Sequence, residues 1–465
     1  MRIERFGVLI LVLVCSLAPV GEGFGHPQES HNMTLVGFHD LQGRPAYQPT
    51  IHSQGGRWIA YVGLHSGAEV NSLAERLEGN GTLIIDVTDA ADPRTLAHIP
   101  GDRLDPGEES EAQMVRVCDV SGRTYLVRDA ASRTRYEVWD VTAPEDPRYV
   151  TVIVDGLRST HKLYWSCDDH VVYLPSLDSE WRARNTKIFD LSDPARPRFI
   201  RDFGLVGQEP GSQLEHVPAP IHGPIAHGDK VFFAYGSSNH GTVQIVDRAK
   251  LLNGDPEPTP ENLLEPQIGR IDMPIIWGGH STYPLLGVPI KEFEKATVGN
   301  VKAILVVASE VVRNECEGPR HPLFFFDISE PQHPFPVSNF LVPEKSGNFC
   351  ERGGRFGPHS VQESFAPVFY KKIIFVAYFN AGVRAVDVRD PFAPREVGYF
   401  IPATTDKTKP VCVERDDGQR CNEAIQTNNV EVDERGLIYI VDRAGTGLHI
   451  LKLAGEARQI VSPGS

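Results

Sequence analysis

The chain lacks the short motifs that mark several large enzyme classes. It contains no GxSxG, no phosphate-binding loop, no GxGxxG leading into a helix and no HExxH. These absences exclude the serine-hydrolase elbow, the P-loop nucleotide site, the dinucleotide-binding turn and the zinc-protease helix. Cysteine is scarce, at 7 of 465 residues, and no CxxC or Cys/His zinc spacing occurs. A zinc-finger type of metal site is therefore not expected.

Long apolar runs and an excess of positive charge are also missing. The only extended apolar segment lies at the N-terminus and is too short to span a bilayer permanently. The formal net charge is −15, with basic and acidic residues mixed along the chain. We therefore expect neither nucleic acid nor an anionic membrane surface as partner, and no membrane span.

The N-terminus has the features of a secretory signal peptide over residues 1–25. Arg2 and Arg5 form a basic start, residues 8–14 are apolar, and small residues follow at Gly21, Gly23 and Gly25. The protein is thus expected to be exported, to the periplasm or outside the cell.

Six cysteines remain after removal of this segment, and an even number in an exported protein suggests disulfides. Cys412 and Cys421 share one polar loop and are the first choice for a pair. Both Cys316 and Cys350 lie in insertions. The other two, Cys118 and Cys167, occupy similar positions in neighbouring repeats.

A repeat runs through most of the chain. Seven times a hydrophobic strand ends in a polar marker residue, usually followed by a Pro-containing turn, at a spacing of about 50 to 80 residues. The markers are Asp86, Asp140, Asp190, Asp247, Asp327, Asp387 and Lys452. We interpret the aspartates as capping side chains of the turn, not as catalytic groups.

Repeats of this length made of strands and turns predict an all-β, seven-bladed β-propeller of four-stranded blades. The predicted propeller domain covers residues 26–455, followed by a flexible tail at 456–465. An N-terminal strand at 34–41 would complete the last blade and close the ring. The predicted blades are 47–105, 106–157, 158–209, 210–274, 275–343, 344–403 and 404–453.

The strand segments that carry the markers, such as LIIDV from Leu83 and VRAVDV from Val383, resemble the LVIVD repeat of bacterial exported β-propellers. This resemblance covers nearly the whole mature chain and implies the fold more strongly than a function. More distantly, the layout resembles the selenium-binding protein and methanethiol oxidase group. That second resemblance implies copper-dependent oxidation of a small molecule.

The start of the innermost strand is histidine in five of the seven repeats. These histidines are His52, His161, His222, His280 and His359, while the second and seventh repeats have Gln113 and Asn428. Equivalent positions of all blades face one channel mouth, so we expect a ring of imidazoles there. Converging imidazoles bind transition metals, transfer protons or line a water-filled channel. We predict a metal site, with copper as first choice and iron as second.

The loops after the second strands should lie at the same mouth. They carry His65, Asp129, Asp178, His240, Glu310, Asn380 and Asp442. Carboxylates there could orient the imidazoles, although turn formation is the alternative for the Asp and Asn residues. We predict Glu310 as the catalytic residue, either as a further ligand or as a general base. Trp277 and Arg355 could shape a pocket or could serve packing and a surface ion pair.

Together these features predict a metal-dependent oxidoreductase that acts on a small molecule at the channel mouth. Two alternatives remain open. The propeller could be a non-catalytic module that binds a protein partner on one face, since a fold alone does not establish catalysis. It could also store or deliver metal in the periplasm with the same residues.

Overall fold

The computed structural model describes residues 26–416 and 418–462. Nearly all regular structure in these residues is β-strand, arranged in small antiparallel sheets. The predicted all-β class is confirmed. The predicted signal peptide, residues 1–25, lies outside the described residues.

Three groups of strands follow one another in the first half of the chain. Group 1 contains Ala46–Gln54, Arg57–Asn71, Thr82–Asp86 and Arg94–Ile99, with Arg76–Gly79 and Ser110–Ala112 paired to its second strand. Group 2 contains Val115–Val120, Arg123–Ala130, Arg135–Asp140 and Arg148–Val154. Group 3 contains Ser159–Thr160 with Tyr164–Ser166, then Val171–Leu177, Asn185–Asp190 and Arg198–Phe203.

Two further groups each form a four-stranded sheet. Group 4 contains Ile221–His227, Lys230–Tyr235, Thr242–Asp247 and Gln267–Asp272. Group 5 contains Ser281–Pro289, Val301–Ala308, Leu323–Asp327 and Phe335–Phe340. The polar insertion of group 4 forms two short helices, Arg248–Asn253 and Pro260–Leu264.

The last two groups belong to one nine-stranded sheet. Group 6 contains Phe356–Val361, Ile373–Phe379, Val383–Asp387 and Arg395–Ile401, and Glu29–His31 adds to its outer edge. Group 7 contains Thr427–Val432, Leu437–Asp442, Leu448–Leu453 and the N-terminal strand Met33–His39. A single pairing, Phe379 with Thr427, joins the two groups.

The first strands of the groups contact one another in cyclic order. Each packs against the first strand of the next group, and Thr427–Val432 of group 7 returns to Ala46–Gln54 of group 1. The result is an all-β, propeller-like arrangement in which the first strands surround a common axis. Any residue at the start of a first strand is thereby brought close to its counterparts.

Apolar side chains between neighbouring groups hold the arrangement together. Strand Ile373–Phe379 is buried along its whole length, as its continuous apolar sequence predicts. One cluster of buried side chains joins groups 4, 5 and 6, and another joins groups 6 and 7 through residues such as Phe375 and Leu451. Burial of this kind is the main stabilising term of the fold.

The repeated aspartates close the turns, as interpreted from the sequence. The carboxylates of five of them each accept a hydrogen bond from the backbone N–H two residues later: Asp86, Asp140, Asp190, Asp327 and Asp387. Asp247 instead caps helix Arg248–Asn253 by accepting from the N–H of Lys250. Their role is structural.

Three disulfides are present, and they join Cys118 to Cys167, Cys316 to Cys350 and Cys412 to Cys421. The first connects the first strand of group 2 with the end of the first strand of group 3. The last closes an outlying hairpin, Pro410–Arg415 with Gly418–Glu423. Three disulfides indicate an oxidising, exported environment.

The end of the domain differs from the predicted flexible tail at 456–465. Residues Gly455–Val461 form a short helix, with Ala457 and Ile460 buried against the cluster of groups 6 and 7. The spacing of these two apolar residues places them on one helical face, which gives the segment a surface to pack. Within the described residues, no helix is both long and apolar enough to cross a membrane.

Candidate metal centre

Local irregularities in the first strands aim side chains at the axis. The strand register shifts between Ile221 and Gly223 and leaves His222 as the extra residue. A similar shift precedes Ser360 and frees His359. A bulge of this kind redirects a side chain that would otherwise follow the strand's alternation. His280 lies directly before strand Ser281–Pro289, and His161 directly after Ser159–Thr160.

Four of the predicted histidines form a continuous row. The ring centroids of His161 and His222 lie 4.3 Å apart, and those of His222 and His280 lie 3.5 Å apart. The row ends at His359, whose centroid is 4.5 Å from that of His280. The structure therefore brings His161, His222, His280 and His359 together, from four consecutive groups.

Glu310 completes the cluster from the loop after strand Val301–Ala308. Its Oε2 lies 3.6 Å from Nε2 of His280, and its Oε1 lies 3.7 Å from Nε2 of His359. Two ligand atoms bound to one ion at about 2.1 Å and a tetrahedral angle lie about 3.4 Å apart. The three side chains are therefore spaced as ligands of one ion would be, and their ligand atoms all lie within 4.8 Å of one another.

The tautomer of His359 is set by its backbone partner. Its Nδ1 lies 2.6 Å from the carbonyl oxygen of Asn428. Because a carbonyl only accepts, Nδ1 must carry the proton, which leaves a lone pair on Nε2 toward Glu310. Metal-ligating histidines characteristically donate their other N–H to a carbonyl or carboxylate in this way.

Several ring nitrogens in the row have no hydrogen-bond partner among the described residues. They include Nδ1 of His161, Nδ1 of His222 and Nε2 of His280. His222 and His280 are almost wholly buried, at 1% and 0% exposure. An unpaired buried polar atom costs about 1–3 kcal/mol, so a bound ion or other ligand at these nitrogens would offset a real penalty.

Burial also decides the charge of these rings. It lowers the pKa of His161, His222, His280 and His359 well below the ordinary value near 6.5. At neutral pH the imidazoles are uncharged, which is the form that binds metal.

Arg355 pairs with the same carboxylate. Its Nη1 donates to Oε1 of Glu310 over 2.8 Å, so Oε2 is the less engaged oxygen. Burial raises the pKa of Glu310, and the charges of Arg355 and Arg443 oppose that rise. Trp277, by contrast, donates to the carbonyl of Arg320 and packs on Phe324, so its role is in packing.

The structure separates His52 from the other predicted ligands. Its Nε2 lies 3.1 Å from Oδ1 of Asp119. The residue of group 1 that joins the row is Tyr47, whose ring centroid is 5.7 Å from His359 and 6.1 Å from His161. His52 lies five residues further along an extended strand, about 16 Å away at 3.3 Å per residue. Tyr47, five residues before His52, therefore takes the place of group 1 beside the row.

Gln113, Asn428 and the loops after the second strands mostly have supporting roles. Gln113 donates to Nδ1 of His65 over 3.2 Å, and Asn428 supplies the carbonyl that binds His359. The side chains of Asp129, Asp178, Asn380 and Asp442 bond backbone groups of their own loops or of neighbouring loops. These four belong to turn formation, whereas Glu310 and His65 face the row.

A layer of buried ion pairs lies one to four residues further along the first strands. Lys162 pairs with Glu363 and donates to the hydroxyl of Ser360 over 3.1 Å. Arg116 pairs with the same carboxylate, and Glu431 accepts from the backbone N–H of Glu363. This ionic layer fills the axis beneath the histidines. Sequence reasoning missed it because Lys162 and Glu363 do not share the position of Arg116 and Glu431 in the repeat.

No protein-family model matches the chain, and no curated protein matches it in sequence. Among solved structures, the hydrazine synthase of Kuenenia stuttgartiensis is similar, with a TM-score of 0.50 and 9% identity over 90% of this chain and 97% of that chain. The computationally designed Ika8 protein aligns over 90% of this chain and 98% of its own, with a TM-score of 0.43 and 10% identity. At such identity the likeness to hydrazine synthase concerns the fold alone, and the likeness to Ika8 supports no inference.

Proposed function

We propose that the chain is an exported, seven-bladed β-propeller whose blades are groups 1 to 7. The cyclic contacts of the first strands support this assignment. The pairing of Met33–His39 with Leu448–Leu453 would close the ring between its two ends. A closed ring leaves few sheet edges open to other chains.

We propose further that the axis binds a transition metal through His280, Glu310 and His359, with His222 as the nearest additional imidazole. The main support for this proposal is that one ligand atom from each of these three side chains lies within 4.8 Å of the other two. The backbone bond that leaves the lone pair of His359 on Nε2 supports the same assignment. Arg355 would hold the carboxylate by one oxygen while the other faces His280.

The donor set bears on the identity of the metal. Imidazole suits copper, iron, nickel and zinc, and two histidines with one carboxylate are the ligands of non-haem iron oxygenases. This combination favours iron over the copper expected from the sequence. A bound redox metal would supply oxidant activation, so the proposed activity is oxidation of a small molecule. Glu310 serves as a ligand in this proposal.

The test is elemental analysis by mass spectrometry of the mature protein after reconstitution with Fe(II), Cu(II) or Zn(II). We expect near-stoichiometric metal in the wild type and in His52→Ala, which alters a histidine outside the row. The double variant His280→Ala with His359→Ala should bind at least about 100-fold more weakly, since it loses two direct ligands. Circular dichroism checks that each variant is folded.

Glu310→Gln separates the two roles predicted for this carboxylate. A neutral amide is a poor ligand, so metal binding should weaken if Glu310 coordinates and should persist if it acts only as a base. Wild-type protein that takes up none of the three metals would contradict the metal proposal. It would leave the protein-binding propeller as the better hypothesis.

A further inference from the structure

Four arginines border the row of histidines on the side away from the ionic layer. Arg133 follows strand Arg123–Ala130, and Arg184 precedes strand Asn185–Asp190. Arg355 precedes Phe356–Val361, and Arg443 follows Leu437–Asp442. Each of the four residues is half-buried.

The same backbone segments that carry the histidines hold two of these guanidiniums. Nη2 of Arg133 donates to the carbonyl of Thr160 over 2.6 Å. Nε of Arg184 donates to the carbonyl of Ile221 over 2.8 Å. Thr160 and Ile221 directly precede His161 and His222. The arginines are therefore held in place beside the metal-binding row before any ligand arrives.

The four cations lie in two close pairs. Arg133 and Arg184 donate to the same hydroxyl, that of Ser159, over 3.4 Å and 3.3 Å. Arg355 and Arg443 both lie over the ring of Phe379, at 5.3 Å and 5.4 Å from its centroid. Like charges this close repel each other, and partial burial strengthens the repulsion.

Tyr47 lies near both pairs. Burial, with the charge of Glu310, raises the pKa of Tyr47, while the charges of Arg443, Arg133 and Arg184 oppose that rise. The same residue packs against His65, His161 and His359. The arginines and the histidines thus lie around the same tyrosine.

Only two of the four arginines form an ion pair with a carboxylate of the described residues. Arg355 pairs with Glu310, and Arg133 lies 3.8 Å from Glu111. Among residues 26–416 and 418–462, neither Arg184 nor Arg443 has a carboxylate within 4.0 Å. Burial and the neighbouring guanidinium lower the pKa of each to about 10. Arg184 and Arg443 are therefore the two of the four arginines without an ion-pair partner among the described residues.

We infer that the small molecule acted on at this site is an organic anion, whose carboxylate or similar oxyanion group binds between these arginines. The inference rests on the proposed function, because it places the anion over the metal-binding row. Guanidinium N–H groups match the geometry of carboxylate, sulfonate and phosphate oxygens. An anion there would relieve the repulsion within both pairs.

The test uses protein treated with a chelator, so that the metal plays no part. Succinate, sulfate, inorganic phosphate and the neutral diamide succinamide are titrated by calorimetry at low salt. We expect at least one oxyanion to bind the wild type and succinamide not to bind. Arg184→Gln with Arg443→Gln should weaken binding about tenfold or more, since hydrogen bonds to charged groups are worth about 1.5–3 kcal/mol.

Arg158→Gln is the matched control, because Arg158 adjoins Ser159 but donates to the carbonyl of Asp178. It should bind the anion as the wild type does. Thermal unfolding confirms that each variant is folded. Among the oxyanions, the tightest binder distinguishes a carboxylate substrate from a sulfonate-like or phosphate-like one.

Three results of the wild-type and arginine-variant titrations would overturn the inference. They are no binding of any oxyanion by the wild type, equal binding of succinate and succinamide, and unchanged binding in the arginine double variant. Binding lost in His280→Ala with His359→Ala but kept in the arginine variant would also overturn it. Because these titrations use metal-free protein, failure of the metal proposal would leave their result unaffected.

Discussion

Burial sets the chemistry of single histidines well beyond the axis. His449 is 6% exposed and lies between the rings of Phe38 and Phe400, at centroid distances of 4.9 Å and 6.0 Å. Its Nδ1 has no hydrogen-bond partner among the described residues. Burial lowers the pKa of His449 to about 3.

We predict that His449→Phe makes the protein less sensitive to acid. The folded pKa lies below the unfolded value near 6.5, so the unfolded chain binds the proton first as pH falls. The stability from the neutral ring is present above pH 6.5 and is lost between pH 6.5 and about 3. The loss should be on the order of 2 kcal/mol between pH 7 and 4.5. Urea unfolding at both values measures it, and an equal fall in stability of variant and wild type would refute the prediction.

The sequence was most informative about residues that share a repeat position. His161, His222, His280 and His359 could be predicted because each begins a first strand, and the ring brings such positions together. Glu310 was found because its loop is adjacent. In group 1 the strand register shifts between Ala46 and Pro49. No histidine lies in that bulge, so His52, further along the strand, was chosen instead. Arg133, Arg184 and Arg443 were missed because loops of different length carry them.

At the scale of the element, the strand and its following turn form the repeating unit. In group 3, Oδ1 of Asp190 accepts from the N–H of Ser192 over 2.7 Å, and Oδ2 pairs with Arg198 over 2.6 Å. The first bond closes the turn and the second ties it to the next strand. The side chain of Arg198 is 72% exposed, so the ion pair contributes little.

We predict that Asp190→Ala lowers the free energy of unfolding by about 1 kcal/mol, the usual value of one such hydrogen bond. Asp190→Asn keeps the acceptor and loses only the exposed ion pair, so its cost should be smaller. Urea unfolding of both variants beside the wild type provides the comparison. Equal losses in the two variants would instead assign the effect to the ion pair.

The elements that could not be predicted from the sequence lie outside the repeat and lack its pattern of an apolar strand followed by a turn. Strand Glu29–His31 is too short for a pattern, and it exists because the outer edge of group 6 is open to pairing. Hairpin Pro410–Arg415 with Gly418–Glu423 is polar and mostly exposed, so apolar periodicity could not mark it. The helix at Gly455–Val461 depends on burial of Ala457 and Ile460 against two groups.

At the scale of the whole molecule, the ionic layer joins groups that are distant in sequence. Glu363 follows the first strand of group 6 and pairs with Lys162 of group 3 and Arg116 of group 2. All three side chains are buried. A buried pair of this type is costly to break, because the remaining charge keeps no counterion.

We predict that Glu363→Gln destabilises the fold by about 3–5 kcal/mol, since it leaves Lys162 and Arg116 buried without their shared carboxylate. The control is Asp193→Asn, which removes the exposed pair with Arg196 and should cost less than about 1 kcal/mol. Thermal and urea unfolding measure both. A loss in Glu363→Gln no larger than in the control would mean that the layer is not a stabilising contact.

The disulfides differ in how much chain they restrain. Cys118 and Cys167 are 49 residues apart, whereas Cys412 and Cys421 are 9 apart within one hairpin. By loop entropy, replacing the first pair with serine should cost about 4 kcal/mol and the second about 3 kcal/mol. The hairpin lies at the periphery, so its loss should also leave the cooperative unfolding transition intact. Urea unfolding of the two double variants tests the order, and a larger loss for the hairpin pair would reverse it.

The pairing of Met33–His39 with Leu448–Leu453 has a consequence for the order of folding. Met33 and Leu453 pair across a separation of 420 residues, 453 minus 33. A contact of such long range forms late, because the entropy of closing the intervening chain opposes it until the other groups are compact. A growing chain therefore carries an unpartnered strand from almost the beginning of synthesis until its last strands emerge. Ribosome-bound chains that stop before residue 448 should expose two sheet edges and depend on a chaperone to remain soluble.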